Sequence, residues 1–286
     1  MNTRRRAFLL AVQLTLGAIA LSACGDQLST RPGADPVTAT PTSQATTGSA
    51  TSDAEDRGDP LVGNSATTTT ADDNAVTRIH LIGDSITEGG YRYELFKLMV
   101  DSDVRFDFVG SLGDPPEVIA DEYPSYRGQT FDSDHDGHPD LTTQAVADRM
   151  PMIMANIETP DMALIHLGTN DYEGLPIDEI DSIIPTSLAA MRTIVSELRE
   201  ANPDVQIFIA QIIPMISEFG PQNDYVRSLN AELAVLASTE TSSASPILIV
   251  DMNTGFDDGH LGDPWHPNRS GAIEIAQRWL AAIRPR

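Results

Sequence analysis

From Thr77 onward, short apolar runs alternate with longer amphipathic stretches. This alternation is typical of a parallel β-sheet whose two faces are covered by helices. The apolar runs predict five strands, at Arg78–Gly83, Phe106–Gly110, Met162–Leu167, Val205–Ile213 and Pro246–Asp251. The amphipathic stretches predict helices at Tyr91–Val100, Thr142–Ile157, Ile177–Ala201, Gln222–Ser238 and Arg269–Ile283. The pattern therefore predicts an α/β domain, a three-layer α/β/α sandwich around a five-stranded parallel sheet.

Before this domain, residues 25–75 are dominated by Thr, Ser, Ala, Asp, Gly and Pro, with almost no large apolar residue. Such a composition cannot bury enough surface to offset its ordering entropy, so we expect a disordered linker. The remaining residues, 76–286, are about the length of one domain with a single core. We therefore predict one catalytic or binding domain behind a tether.

The first 24 residues have the layout of an export signal. Arg4, Arg5 and Arg6 precede an apolar stretch, Ala7–Ala20, that is too short to span a bilayer with margin. The sequence Leu21-Ser22-Ala23-Cys24 resembles a bacterial lipobox, which implies lipidation of Cys24; alternatively, Cys24 is incidental to a cleaved peptide. We expect an exported protein, lipid-anchored to the cell membrane or extracellular. Whether export is general or twin-arginine dependent stays open.

Charge and cysteine content narrow the partners further. The formal net charge of −24 disfavours nucleic acid and anionic lipid, so we expect membrane contact only through the anchor at Cys24. Because Cys24 is the single cysteine, the mature domain contains no intramolecular disulfide. We expect a monomer.

Polar residues follow the predicted strands at three places. Asp84 and Ser85 come after the first strand, Asn170 and Asp171 after the third, and the segment 263–268 lies near the C-terminus. In an open parallel sheet, for which we expect a flavodoxin-like order, the active crevice lies beyond the carboxyl ends of the strands. The three segments are therefore predicted to meet at one edge of the sheet.

Ser85, His266 and Asp263 are the candidates for nucleophilic chemistry. A serine hydroxyl attacks a carbonyl only when a base takes its proton, and His266, three residues after Asp263, is the histidine best placed for this. Asp263 can hold the ring in one tautomer. Alternatively, Asp263 caps a turn and His266 is a surface residue. The other histidines fall elsewhere. His80 and His166 lie in predicted strands, where we expect buried core histidines with satisfied hydrogen bonds, His135 and His138 lie in an acidic loop, and His260 lies in a glycine-flanked turn.

Together the Gly-Asp-Ser block at residues 83–85, the Gly-Thr-Asn-Asp block at 168–171 and the Asp-x-x-His block at 263–266 resemble the SGNH or GDSL hydrolase family. The resemblance implies Ser85 as nucleophile, Asp263 and His266 as its partners, and an oxyanion hole formed by the Ser85 backbone N–H and the Asn170 amide. It also implies a third donor, a backbone N–H from a glycine in a further block.

That further block is where this sequence departs from the family. Residues 128–143 resemble a stretch of the acetylxylan-esterase-like branch, but Asp140 and Leu141 stand where a small glycine-containing turn and a tryptophan are usual. The Asp140 backbone can still donate, although its carboxylate would oppose a developing oxyanion. Gly110 is the alternative third donor, and the sequence does not choose between them.

The same loop has the spacing of a calcium site. Asp132, Asp134, Asp136 and Asp140, with Gly137 between them, match the first nine positions of a calcium loop, but Thr143 replaces the glutamate expected at position twelve. The pattern allows a structural calcium ion, which would neutralise Asp140, or simply a solvated acidic turn.

Three further residues belong to these segments. Asp84 and Asp171 are predicted to hold loops through hydrogen bonds to backbone N–H groups. Trp265 either walls the substrate site or packs beneath the last helix.

The sequence thus predicts a serine esterase that acts on short-chain acyl or acetyl groups of small esters or acetylated polysaccharides through an acyl-enzyme, with no required cofactor. The enzyme alternative is a lysophospholipase or thioesterase. The alternative from another class is a weakly active, calcium-stabilised surface binding lipoprotein.

Overall fold

A parallel sheet forms the centre of the domain. The computed structural model describes residues 76–102 and 104–284. The six strands are β1 (Thr77–Gly83), β2 (Phe106–Val109), β3 (Asp136–Gly137), β4 (Met162–His166), β5 (Gln206–Gln211) and β6 (Ile247–Asp251). Five of them lie in the order β2-β1-β4-β5-β6, all parallel, and the two-residue β3 pairs with the end of β1. This confirms the predicted five-stranded, flavodoxin-like order and adds one short strand.

Helices cover both faces of the sheet. Among the described residues, the α-helices are α1 (Ser85–Glu88), α2 (Tyr91–Asp101), α3 (Pro116–Glu122), α4 (Thr143–Ala147), α5 (Met150–Met154), α6 (Ile184–Ala201), α7 (Gly220–Glu240) and α8 (Arg269–Ile283). The apolar faces of α2 and α8 pack on one side of the sheet, around Leu81, Phe208 and Trp279. The apolar faces of α4 to α7 pack on the other side, around Ile165 and Ile207. The three-layer α/β/α fold is therefore as predicted.

Two predicted helices begin or divide at prolines. The helix predicted at Thr142–Ile157 is the pair α4 and α5, with Pro151 in the first turn of α5. The helix predicted from Ile177 begins at Ile184, with Pro185 in its first turn and a 3₁₀ turn before it. Proline lacks an N–H and fixes φ, so it favours the first turn of a helix over its interior.

The strand predicted to run to Ile213 ends at Gln211. Beyond it, the Ile212 N–H donates to Asn230 Oδ1 at 2.7 Å and the Asn230 amide donates to Ile212 O at 3.0 Å. A side chain from α7 thus replaces the neighbouring strand. Helix α3 and strand β3 were not predicted.

The predicted signal peptide, the lipobox with Cys24 and the whole linker, residues 25–75, lie outside the described residues. Among the helices that the structure describes, none is both long and apolar enough to cross a membrane.

Candidate active site

Ser85 lies at the sharp turn between β1 and α1. A Cβ atom on Gly83 would lie 2.0 Å from Thr87 Oγ1 and 2.7 Å from His166 O, so only glycine fits where the strand turns. Asp84 caps α1, since its Oδ1 accepts from the Ile86 N–H at 2.9 Å. These contacts hold Ser85 at the carboxyl edge of the sheet.

The structure brings Ser85, His266 and Asp263 together. Ser85 Oγ lies 2.8 Å from His266 Nε2, and His266 Nδ1 lies 2.9 and 3.0 Å from the two carboxylate oxygens of Asp263. If the Nδ1–H donates to Asp263, Nε2 is left with a lone pair that accepts the serine proton. This is the hydrogen-bond order that a serine nucleophile requires.

Asp263 is held ionised by its own loop. The backbone N–H groups of Trp265 and His266 donate to Asp263 Oδ1 at 2.9 and 2.8 Å. Partial burial alone would raise the pKa of Asp263. The two backbone hydrogen bonds and the His266 ring outweigh burial and hold this pKa below its usual value. An ionised carboxylate beside Nδ1 can fix the tautomer and stabilise an imidazolium.

Asn170 and Asp171 fix the turn that follows the acidic loop. The Asn170 amide donates to Leu141 O at 3.2 Å. The buried Asp171 carboxylate accepts from the Thr143 N–H at 2.6 Å and from the Thr143 hydroxyl at 2.8 Å. The predicted loop-holding roles of Asp84 and Asp171 are therefore confirmed. One amide hydrogen of Asn170 is left for a ligand in the pocket.

Asp140 occupies a glycine-like backbone conformation. Its φ is +61°, in the left-handed region that non-glycine residues seldom adopt. Within the described chain, neither the Asp140 N–H nor the Ser85 N–H donates to another group. Gly110, the alternative third donor, is explained differently, because a Cβ there would lie 2.3 Å from the His135 backbone. Asp140 lines the pocket around Ser85, whereas Gly110 does not.

The pocket around the serine is small, and polar and apolar groups line it in nearly equal parts. It has a volume of about 200 Å³. Its lining residues are Ser85, Ile86, Asp140, Thr169, Asn170, Tyr172, Glu173, Trp265 and His266. The Trp265 side chain is 40% exposed and its ring lies 5.7 Å from that of Phe219. Trp265 is thus a wall of the pocket and does not pack beneath α8.

The acidic loop does not have the arrangement of a calcium loop. Asp132 Oδ2 accepts from the Phe108 N–H at 2.6 Å. The buried Asp136 accepts from His80 Nε2 at 2.7 Å and from the N–H and hydroxyl of Ser111. Among residues 76–102 and 104–284, no three His, Cys, Asp or Glu side chains form a group that could hold a metal ion. Two of the four carboxylates in the calcium-like spacing, Asp132 and Asp136, are therefore bonded to the protein.

The two strand histidines are buried, as predicted, but they differ in their partners. His80 bonds to Asp136, whereas both ring nitrogens of His166 lack a hydrogen-bond partner among the described residues. Burial lowers the pKa of His166 to about 4, so the ring is neutral. The expectation of a satisfied core histidine is therefore wrong for His166.

Arg92 is a site-supporting residue that the sequence analysis missed. Its side chain is buried and donates to Glu88 O at 2.7 Å, to Ser133 O at 2.7 Å and to Asp114 Oδ2 at 3.0 Å. It therefore ties the end of α1 to the acidic loop. The sequence contained a signal for this role, because the helical spacing places Arg92 on the same buried face of α2 as Leu95 and Met99.

The fold agrees with the comparisons with known proteins. Residues 81–272 match the model of the GDSL-like Lipase/Acylhydrolase family, and the chain belongs to this family. A search of curated proteins found no match.

Solved structures extend the likeness over most of the domain. A carbohydrate esterase of family 3 from Talaromyces cellulolyticus is 28% identical, with a TM-score of 0.61 over 73% of this chain and 96% of that one. An acetyl esterase mutant solved with an acetate ion is 27% identical, with a TM-score of 0.59 over 71% and 94%. A family 3 carbohydrate esterase from Clostridium thermocellum, at 22% identity and a TM-score of 0.57, shares the fold. Family and neighbours together identify the chain as an enzyme, an SGNH-type esterase.

Proposed function

We propose that the protein hydrolyses short-chain acyl esters, chiefly acetyl esters of carbohydrates, and that Ser85, His266 and Asp263 form its catalytic triad. The observation that carries the proposal is the 2.8 Å separation of Ser85 Oγ and His266 Nε2, with Asp263 bonded to the far side of the ring.

The reaction follows from this geometry. Ser85 Oγ attacks the ester carbonyl carbon while its proton passes to His266 Nε2. The resulting oxyanion accepts hydrogen bonds from the Ser85 N–H, the Asn170 amide and the Asp140 N–H, and each such donor stabilises the transition state by roughly 3 kcal/mol. When the C–O bond breaks, the alcohol leaves with the proton from His266. Water then attacks the acyl-enzyme and gives a proton to His266 Nε2. When the bond between the acyl carbon and Ser85 Oγ breaks, His266 returns that proton to Ser85 and the acid leaves.

The size and polarity of the pocket support a short acyl group. The pocket volume of about 200 Å³ is below the usual range of roughly 300–1,000 Å³ for ligand pockets. The residues that line the pocket do not form a long apolar groove beside Ser85. A lysophospholipid would need such a groove, so the lipase alternative has less support. The carbohydrate assignment draws on the carbohydrate esterase and the acetyl esterase to which this chain is 28% and 27% identical.

The location is proposed from the sequence alone. We propose that the enzyme is exported and anchored through a lipid on Cys24. Labelling with a fatty acid should be present in the full chain and absent after Cys24→Ala.

Hydrolysis of p-nitrophenyl esters of increasing chain length tests the enzymatic proposal. We expect the acetate to be cleaved with the highest kcat/KM and Ser85→Ala to lose at least about 10³-fold of it. Acetylated xylan then tests the carbohydrate assignment by acetate release. Equal, slow hydrolysis by both proteins would instead favour the alternative of a weakly active binding lipoprotein.

A further inference from the structure

The pocket carries two carboxylates that have no positive partner. Asp140 and Glu173 both line it, and both are exposed, so they lie where the pocket opens to solvent. Neither side chain takes part in an ion pair or hydrogen bond within the part of the chain that the structure describes, and the lining set contains no Lys or Arg.

A minority of the other described carboxylates lie within ion-pair distance of a basic side chain. Glu94 lies 2.6 Å from Lys97, and Glu274 lies 2.8 Å from Arg278. In a protein of net charge −24, two unpaired carboxylates beside a nucleophile make the pocket mouth a region of negative potential. Such a mouth repels anionic substrates and attracts cations.

Two aromatic side chains line the same pocket, and each packs against another aromatic ring. The Trp265 ring lies 5.7 Å from Phe219, and the Tyr172 ring lies 5.2 Å from that of Tyr225. Aromatic faces attract an ammonium group through their quadrupole, and carboxylates attract it through their charge. Ring faces and carboxylates around one small pocket are therefore a combination suited to an ammonium group.

A cation would also relieve an electrostatic cost of catalysis. The Asp140 backbone N–H is a proposed oxyanion donor, so the carboxylate of the same residue lies near the reacting carbonyl. Its negative charge opposes the negative charge that develops on the carbonyl oxygen. A positive group held beside Asp140 offsets that opposition during the reaction. It should therefore increase kcat as well as lower KM.

We infer that the preferred substrates are short-chain esters whose alcohol portion carries an ammonium group, which binds between Asp140, Glu173 and the ring of Trp265. The inference rests on the proposed esterase function. The alcohol side is assigned because the small inner pocket leaves room for only a short acyl group, whereas the two carboxylates lie at its opening.

A pair of esters of nearly equal shape tests the inference. Acetylcholine and 3,3-dimethylbutyl acetate differ in replacing a quaternary nitrogen by carbon. We expect kcat/KM for acetylcholine to be about tenfold higher at low salt, and the preference to shrink with added NaCl as the charges are screened. Equal values for the two esters would overturn the inference. The proposed function fails separately, if the neutral ester is hydrolysed no faster by the wild type than by Ser85→Ala.

Matched charge variants locate the effect. Glu173→Gln should reduce the cationic-to-neutral ratio several-fold, whereas Glu200→Gln, the same change on an exposed position of α6, should not. Asp140→Asn should raise kcat for the neutral ester more than for acetylcholine. If Glu173→Gln and Glu200→Gln lower the ratio equally, the preference comes from the overall charge and the local site is excluded.

A polymer comparison distinguishes the source of the ammonium group. O-acetylated chitosan with free amines is compared with the same polymer after its amines are N-acetylated. Faster acetate release from the free-amine polymer assigns the site to amino sugars. A preference for acetylcholine without a polymer preference assigns it to a small quaternary ammonium ester, and no preference in either pair overturns the inference.

Discussion

Two loops of this enzyme contain aspartate and histidine at close spacing, yet they differ in burial. In residues 257–268, the Asp263 carboxylate and the His266 ring are each nearly half exposed, and the ring reaches Ser85. In residues 132–140, Asp136 is fully buried and bonds to His80, with His138 Nε2 3.3 Å away. The same residue types therefore have the proposed catalytic role where they meet solvent and hold the scaffold together where they are buried.

The largest expected effect is on His266. His266→Ala should lower kcat/KM for p-nitrophenyl acetate by at least about 10³-fold, because no other group can take the proton of Ser85. The control is His260→Ala. His260 Nδ1 lies 2.8 Å from Asp257 Oδ1, again three residues apart, but within the described chain its ring makes no hydrogen bond to a serine. Equal losses in the two variants would contradict the proposed triad.

The buried Asp136 provides the matching experiment on stability. Burial alone would raise the pKa of Asp136. Hydrogen bonds with the rings of His138 and His80 and with the Ser111 hydroxyl outweigh burial and hold this pKa well below its usual value. A depressed folded-state pKa contributes stability above the unfolded pKa of about 4, and that stability is lost as pH falls. Asp136→Asn should therefore lower the free energy of unfolding by about 3 kcal/mol at neutral pH.

Denaturant titration at several pH values measures this effect. The difference between wild type and variant should shrink as pH falls below about 4, because the unfolded wild type then binds a proton at Asp136 that the folded protein does not yet bind. A difference that does not change with pH would show that the role of Asp136 is packing alone.

Asp84 is a buried carboxylate of the opposite kind. Burial raises the pKa of Asp84 to about 6, although the hydrogen bond from the Ile86 N–H partly offsets this. The folded protein therefore binds more protons than the unfolded chain between about pH 4 and pH 6, and stability falls as pH rises through this window. Asp84→Asn should remove that fall.

The size of the pH-dependent stability loss caused by Asp84 follows from the size of its pKa shift. Two pKa units correspond to about 3 kcal/mol at most, and we expect roughly 2 kcal/mol after relaxation. The measurement is the unfolding free energy of wild type and Asp84→Asn from pH 3.5 to 8. The variant should gain relative to the wild type only as pH rises, and a constant offset would contradict the raised pKa.

How far the sequence predicted these regions depends on the kind of contact. The strands followed from apolar periodicity, because burial on both faces leaves a strong pattern in β1, β4 and β5. The positions of Ser85, Asn170 and His266 followed from their place after strands or before the last helix. Each of these features is local in sequence.

The features that were missed depend on long-range partners. His80 and Asp136 are 56 residues apart, and Arg92 and Ser133 are 41 apart. No spacing within the acidic loop shows that its carboxylates face backbone N–H groups and imidazoles. A calcium-like spacing therefore coincided with a protein-bonded loop. The pocket positions of Glu173 and Trp265 likewise depend on loops that meet only in the folded chain.

The smallest expected effect is that of chelation, and it bears on the same loop. Because Asp132 and Asp136 are engaged by the protein, EDTA followed by dialysis should leave the Tm unchanged within about 1 °C. The measurement is sensitive enough to decide, since a calcium ion present at 100 times its Kd would add about 2.7 kcal/mol of stability, or several degrees in Tm. A fall of that size, reversed by CaCl2 and not by MgCl2, would show that these carboxylates leave their protein partners for a metal ion. The two loops would then differ in that one binds a metal ion, and burial alone would no longer account for the difference between them.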